Sequence, residues 1–259
     1  MKEDRSKYTI MYFKENFPEW KRKKDSFILK YFIRPLSFVG ASYCAKWNIK
    51  ANTVSYVSGI VALVACALFL PYNYVAHVVG AALFTVWILM DCIDGNLARS
   101  VKKQPFGPFS DAISSYMLVG FMGACIAFAA YSEGGYLFKA GNPWIILMGA
   151  FASSSDTMMR LIYHKYEQSH QELIKAGVMP EEVDAHTDIN NVSNWKIRIE
   201  HELGVDGIIP LFVLICTIFR MLDIAVLYFF CYYGGAFLFS YTTYVKKAIK
   251  YANIYGDKI

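Results

Sequence analysis

Three aspartates near the end of one apolar stretch and the start of the next set the chemical question. The segment reads Asp91-Cys-Ile-Asp94-Gly95-Asn-Leu-Ala98-Arg99, then seven residues, then Gly107-Pro-Phe-Ser-Asp111-Ala-Ile-Ser-Ser115. On a helix, residues three and four apart share a face. Asp91, Asp94 and Ala98 therefore line one face of a first helix, and Asp111 and Ser115 line one face of the next. The turn between them lets the two helices pack antiparallel, so three carboxylates converge. Unpaired carboxylates in an apolar bundle are costly, and a divalent cation removes that cost. Mg²⁺ and Mn²⁺ prefer carboxylate oxygens and keep positions open for phosphate oxygens. Gly95 and Ala98 leave room for a ligand near the backbone, and Arg99 can grip a phosphate in bidentate fashion. The combination predicts phosphoryl chemistry at a metal centre. One Asp at the end of a span would read as an interfacial charge. Three, with Gly, Ala, Arg and Gly at fixed offsets, do not.

The elements that must position these residues are membrane helices. Of 259 residues, 56% are hydrophobic and 18% charged, and mean hydropathy is +0.30; soluble domains carry about 25% charge. Apolar runs approaching the roughly 20 residues that span a bilayer fall at about Val54–Leu70, Tyr74–Met90, Phe109–Tyr131, Trp144–Tyr163, Gly207–Phe219 and Ile224–Tyr244. The second helix is expected to run on through Arg99, and residues 100–106 with Pro105 and Pro108 to break it. Asn52-Thr53-Val54-Ser55 is expected to cap the first span. The fold class is all-α integral membrane: a six-transmembrane-helix bundle with an N-terminal interfacial amphipathic helix. Its parts are a basic interfacial segment (1–50), the membrane domain (51–245) with a polar loop (164–205), and a basic tail (246–259). In the first part, Lys21-Arg22-Lys23-Lys24 precede an apolar-aromatic stretch interrupted by Lys30, Arg34, Pro35 and Lys46. That pattern suits one or two helices lying among membrane lipids, with affinity for anionic headgroups.

Charge sets orientation. Residues 1–50 carry twelve Lys and Arg; Arg99, Lys102, Lys103 and the residues of the 160–205 connection and the tail add more, against Lys139 and Arg220 on the opposite face. Six spans put both termini and the aspartates on the basic, cytoplasmic side of an inner or plasma membrane. The net charge of +5 flanks apolar spans rather than forming a basic stripe with interleaved aromatics, which argues against nucleic acid. The six cysteines include no CxxC pair and read as small hydrophobes. His164, His170, His186 and His201 match no metal-ligand spacing and read as solvated. The charged N-terminus lacks the short apolar core of a cleavable signal peptide.

The Asp91–Ser115 segment resembles the signature of the CDP-alcohol phosphotransferases, D-x2-D-G-x2-A-R-x7/8-G-x3-D-x3-D, matching at Asp91, Asp94, Gly95, Ala98, Arg99, Gly107 and Asp111. The resemblance implies an enzyme that moves a substituted phosphate from a CDP-linked donor to an acceptor hydroxyl and releases CMP. It implies Mg²⁺ or Mn²⁺ on Asp91, Asp94 and Asp111, with Asp111 catalytic. It implies nucleotide contacts at Asp94, Gly95, Ala98, Arg99 and Gly107, and, with a looser match, at Asn52 and Ser55. A homodimer is implied as well.

The motif's last position, the proposed base of the family, is Ser115 instead of Asp. A neutral serine is a poor base near pH 7 and a weaker metal ligand than a carboxylate. Three explanations stand open. The protein is catalytically impaired and binds only nucleotide and metal; another carboxylate supplies the base; or the acceptor needs none, for example because it presents an ionised phosphate. Asp156, in the fourth span, is the leading substitute, with Glu200 and Asp206 behind it, although Asp156 and Arg160 are also spaced to pair on one helix. Arg160, Lys102 and Lys103 are candidates for an acceptor phosphate. Donor (CDP-diacylglycerol or a CDP-linked small alcohol) and acceptor (polar or lipid) stay open. A transporter is disfavoured because the acids sit at one end of the bundle.

Overall fold

The computed structural model describes residues 5–180 and 202–256, and among these it is all-helical, without strands. In chain order the helices are α1 (Ile10–Glu15), α2 (Glu19–Lys24), a π-helical turn (Leu29–Ile33), α3 (Arg34–Lys46), α4 (Ala51–Ala67), α5 (Tyr74–Ser100), α6 (Gly107–Glu133), α7 (Pro143–Lys175), α8 (Ile209–Ile218) and α9 (Leu222–Tyr255). Two compact units result: Met1–Leu118 with Ile189–Met221, and Val119–Asp188 with Leu222–Ile259.

Helices α5, α6, α7 and α9 are long and apolar enough to cross a membrane. The first and fifth expected spans coincide with shorter apolar helices, α4 with 17 residues and α8 with 10. At 1.5 Å per residue these reach about 25 and 15 Å, against a hydrocarbon core of about 30 Å. So four of the six expected spans have helices of spanning length. Large apolar side chains such as Ile60, Val75, Phe121, Leu147 and Phe239 are exposed on the outer faces, where lipid would cover them.

In the first unit, α4, α5 and the start of α6 are tied by a buried polar knot. The Ser58 and Ser114 hydroxyls lie 2.6 Å apart, and Trp87 Nε1 donates to Ser114 Oγ at 3.0 Å. Gly80 brings α5 against α4 so closely that a Cβ there would lie 2.8 Å from the Ala65 carbonyl oxygen. The N-terminal segment is two short helices, the π-turn and the 13-residue α3. It does more than lie on a surface: Tyr8, Phe13, Phe17 and Phe38 are buried in one cluster with Ala51, Val54, Ile93 and Leu97 of α4 and α5. The expected cap of the first span is not used. Helix α4 starts at Ala51 behind Lys50, which makes no side-chain cap bond, because Asn52 and Ser55 are engaged elsewhere.

In the second unit, α7 runs beyond Tyr163 to Lys175 and α9 beyond Tyr244 to Tyr255. Polar sequence there stays helical because the two helices zip together through rings: Tyr166 with Tyr244 at 5.0 Å and His170 with Tyr251 at 5.8 Å. The pair Gln168 to Glu172 adds an (i, i+4) bond of 3.0 Å. His170 thus stacks on tyrosines instead of standing in solvent. His186, Glu200 and His201 lie outside the described residues.

Candidate metal and nucleotide site

The carboxylates of Asp91, Asp94 and Asp111 each bring an oxygen within 4.8 Å of the others. Helix α5 supplies the first two from its last turns. Residues 101–106 then reverse the chain, with Phe106 in the left-handed region at φ 59°, so that α6 begins at Gly107 and presents Asp111 one turn in. Asn52 of α4 fixes this reversal by donating from Nδ2 to the Pro105 carbonyl at 2.8 Å. Ser55, one turn further along α4, donates to Asp94 Oδ2 at 2.6 Å. Asp94 is 5% exposed, Asp91 half-buried and Asp111 exposed, so the cluster opens on one side.

Gly95 lies under the Arg99 guanidinium: a Cβ at position 95 would stand 2.9 and 3.0 Å from its terminal nitrogens. Any side chain there would push Arg99 away. Arg99 also donates to Asn96 Oδ1 at 3.2 Å and lies over the Phe17 ring at 5.9 Å. Together these residues line a cavity of about 230 Å³. Asn52, Ser55, Asp91, Asp94, Gly95, Ala98, Arg99, Gly107 and Asp111 all face it, joined by Ala51, Cys92, Pro108, Lys21 and Arg34. A larger cavity of about 620 Å³ shares Ala51 and Asn52 with it and is lined by Lys50, Lys102 and Gln104 among others.

The donor set suits a hard divalent cation. Three oxygen-only ligands gather in a partly buried space, and the described ion pairs leave all three out. Like charges this close favour a bound cation. Ser55 fixes the orientation of Asp94 from behind, as outer hydrogen bonds orient ligating carboxylates.

Other expected site residues are placed differently. Ser115 is half-buried one turn beyond Asp111 on α6. Lys103 is exposed on the reversal, and it is Lys102 that lines the larger cavity. Asp156 belongs to the second unit, where it is 2% exposed and accepts from Arg160 Nε at 3.2 Å. Lys21 and Arg34 were read from the sequence only as interfacial charges, and both line the aspartate cavity. The one available signal was Asp25, a lone acid just after a basic run and nine residues before Arg34.

No curated protein matches the chain. A family model described as CDP-alcohol phosphatidyltransferase matches residues 48–179, just over half of the chain, from the approach to α4 to the end of α7. That stretch contains the aspartate trio, Gly95, Arg99 and the reversal that joins them. Cavity, motif and family match therefore agree: the chain belongs to the CDP-alcohol phosphatidyltransferase family, transferases that carry out phosphotransfer from a CDP-alcohol.

Proposed function

We propose that this protein is a membrane-embedded phosphotransferase that moves a substituted phosphate from a CDP-linked alcohol, CDP-diacylglycerol or a CDP-linked small alcohol, to an acceptor hydroxyl and releases CMP. Its place is phospholipid or glycolipid synthesis. The observation that carries this is the convergence of three carboxylates within 4.8 Å beside Arg99 and Gly95 on one cavity. Asp91, Asp94 and Asp111 would hold Mg²⁺ or Mn²⁺, which when bound neutralises charge on the diphosphate. Arg99 adds a planar donor for phosphate oxygens, and bare Gly95 lets the nucleotide reach that donor. Asn52, Ser55 and Gly107 line the same cavity. On this reading the site and both termini face the cytoplasm, consistent with Lys21 on the cavity lining and exposed Lys102 and Lys103 on the reversal that leads into Gly107, and the protein is a homodimer.

The acceptor hydroxyl must give up a proton as it attacks the phosphorus. By its residue type Asp156 is the candidate substitute base, and Arg160 and Lys103 are the candidates for an anionic acceptor group. A second reading rests on Ser115, which stands where the motif has its last Asp: a protein that binds metal and nucleotide with little turnover. A screen of CDP-linked donors and acceptors, reading CMP release with and without Mg²⁺ or Mn²⁺, separates the two. Metal-dependent CMP release with any pair supports the enzyme. Donor binding with no release across the screen supports the second reading.

A further inference from the structure

Arg34 lies outside the motif and outside the matched stretch, yet it is the most constrained cation at the cavity. It is 5% exposed. Its Nε and Nη2 donate to the two oxygens of Asp25 at 2.7 and 2.8 Å, in a pair whose side chains are 6% and 1% exposed. Its face lies on the Phe17 ring, 4.8 Å from the centroid, the same ring that Arg99 approaches at 5.9 Å. Burial opposes the charge of Arg34 most strongly, and the bond to Asp25 together with the negative charge of Asp25 and Asp91 and the field of Cys92 outweighs it, holding the guanidinium above its ordinary range. The remaining nitrogen, Nη1, is buried and has no hydrogen-bond partner.

A fully charged group with an unmet buried donor is unusual. Leaving such a donor unmet is costly, and native structures rarely accept that without a function. Arg34 lines the cavity together with Lys21 and Asp91, so a ligand that enters it comes beside the guanidinium that carries the unmet donor. Such a ligand offers hydrogen-bond acceptors to the unmet donor, and Lys21, Arg34 and Arg99 on the lining favour an anion beside a cation held by Asp91, Asp94 and Asp111. Asp25 fixes the guanidinium plane, so the free edge is presented in one orientation.

We propose that Arg34 is a binding residue for the diphosphate of the CDP-linked donor: Nη1 donates to a non-bridging phosphate oxygen while Asp25 holds the guanidinium in register. The N-terminal segment is then a wall of the donor site as well as a membrane-surface element. This rests on the reading of the aspartate cavity as a CDP site.

The test measures CDP binding and, separately, Mn²⁺ binding without nucleotide, on the full chain in detergent. Two variants are compared with wild type: Arg34→Lys, which keeps charge and loses the fork, and the double change Asp25→Asn with Arg34→Gln, which leaves a neutral pair able to hydrogen-bond in the buried slot. The expected result is a loss of CDP affinity of about tenfold or more in both, the worth of one charged hydrogen bond, with Mn²⁺ affinity unchanged. Unchanged CDP affinity in whichever variant keeps its melting temperature and monodispersity overturns the proposal. If wild type binds CDP through Asp94 and these variants bind it equally well, only Arg34's role is lost. If wild type binds neither CDP nor Mn²⁺, the reading of the cavity is lost, and Arg34's role with it.

Discussion

The two units each bury acid in apolar helices, and they treat it in opposite ways. In the first, Asp91, Asp94 and Asp111 face one another within 4.8 Å, and the partner that holds Asp94 is a neutral hydroxyl, Ser55. In the second, Asp156 is 2% exposed and has its own cation, Arg160, one turn along the same helix. A site with charge left over asks for a ligand; a site whose charge is balanced from within asks for nothing. Burial alone does not separate them, since Asp94 and Asp156 are both nearly inaccessible. What separates them is the chemistry of the nearest partner.

The largest expected effect comes from removing charge at the open site. Asp94→Asn should lower metal-dependent CMP release by at least about 100-fold, on the scale of losing one preorganised electrostatic group. Steady-state kinetics with a productive donor and acceptor checks this, and near-normal release would erase the contrast. Next is Gly95→Ala, which needs no change of charge. Its Cβ would stand 2.9 Å from Arg99, and displacing that guanidinium should cost about 10–100-fold in turnover. An unaffected variant would show that Arg99 does not work from where it lies.

Asp156→Asn sharpens the balanced side. If the pair is structural, the change should lower stability by about 1–3 kcal/mol, less than for a fully buried pair because Arg160 is partly exposed, and leave turnover per folded molecule intact. If Asp156 is the acceptor base, turnover should vanish while CDP binding stays near normal. Denaturation and binding measured on the same preparation distinguish the outcomes. Ser115→Asp should raise turnover if the missing motif acid limits it, and an unchanged rate would assign Ser115 to a differently built acceptor site. The smallest effect is expected from Lys103→Ala. An exposed lysine should change stability by no more than about 0.5 kcal/mol, and a rise in acceptor KM would mark Lys103 as an acceptor contact.

Much of the first unit was legible in the sequence because its logic is local. Asp91, Asp94 and Ala98 share a helix face by spacing alone, and the Pro105–Pro108 region announces the reversal that delivers Asp111. The family signature runs through those same residues. Less legible was anything set by distant contacts. Asn52 and Ser55 have the residue types of a helix cap, and tertiary bonds to Pro105 and Asp94 claimed them instead. Lys21 and Arg34 look like membrane-surface charges, and the contacts of Arg34 with buried Asp25 and Phe17, which hold it on the cavity lining, are set by the tertiary fold. Polar sequence after Tyr163 hid the extension of α7, whose stability comes from ring contacts with α9.

The most direct test of the central claim, that the aspartate trio holds a metal against CDP, is a Mn²⁺ titration followed by electron paramagnetic resonance, with and without CDP. Linkage requires that if CDP and metal share the site, each tightens the other by the same factor. The prediction is saturable Mn²⁺ binding to the wild-type protein, tightened by CDP, with both the binding and its response to CDP lost in Asp94→Asn. Mn²⁺ binding that ignores CDP, or that survives Asp94→Asn unchanged, would contradict the account.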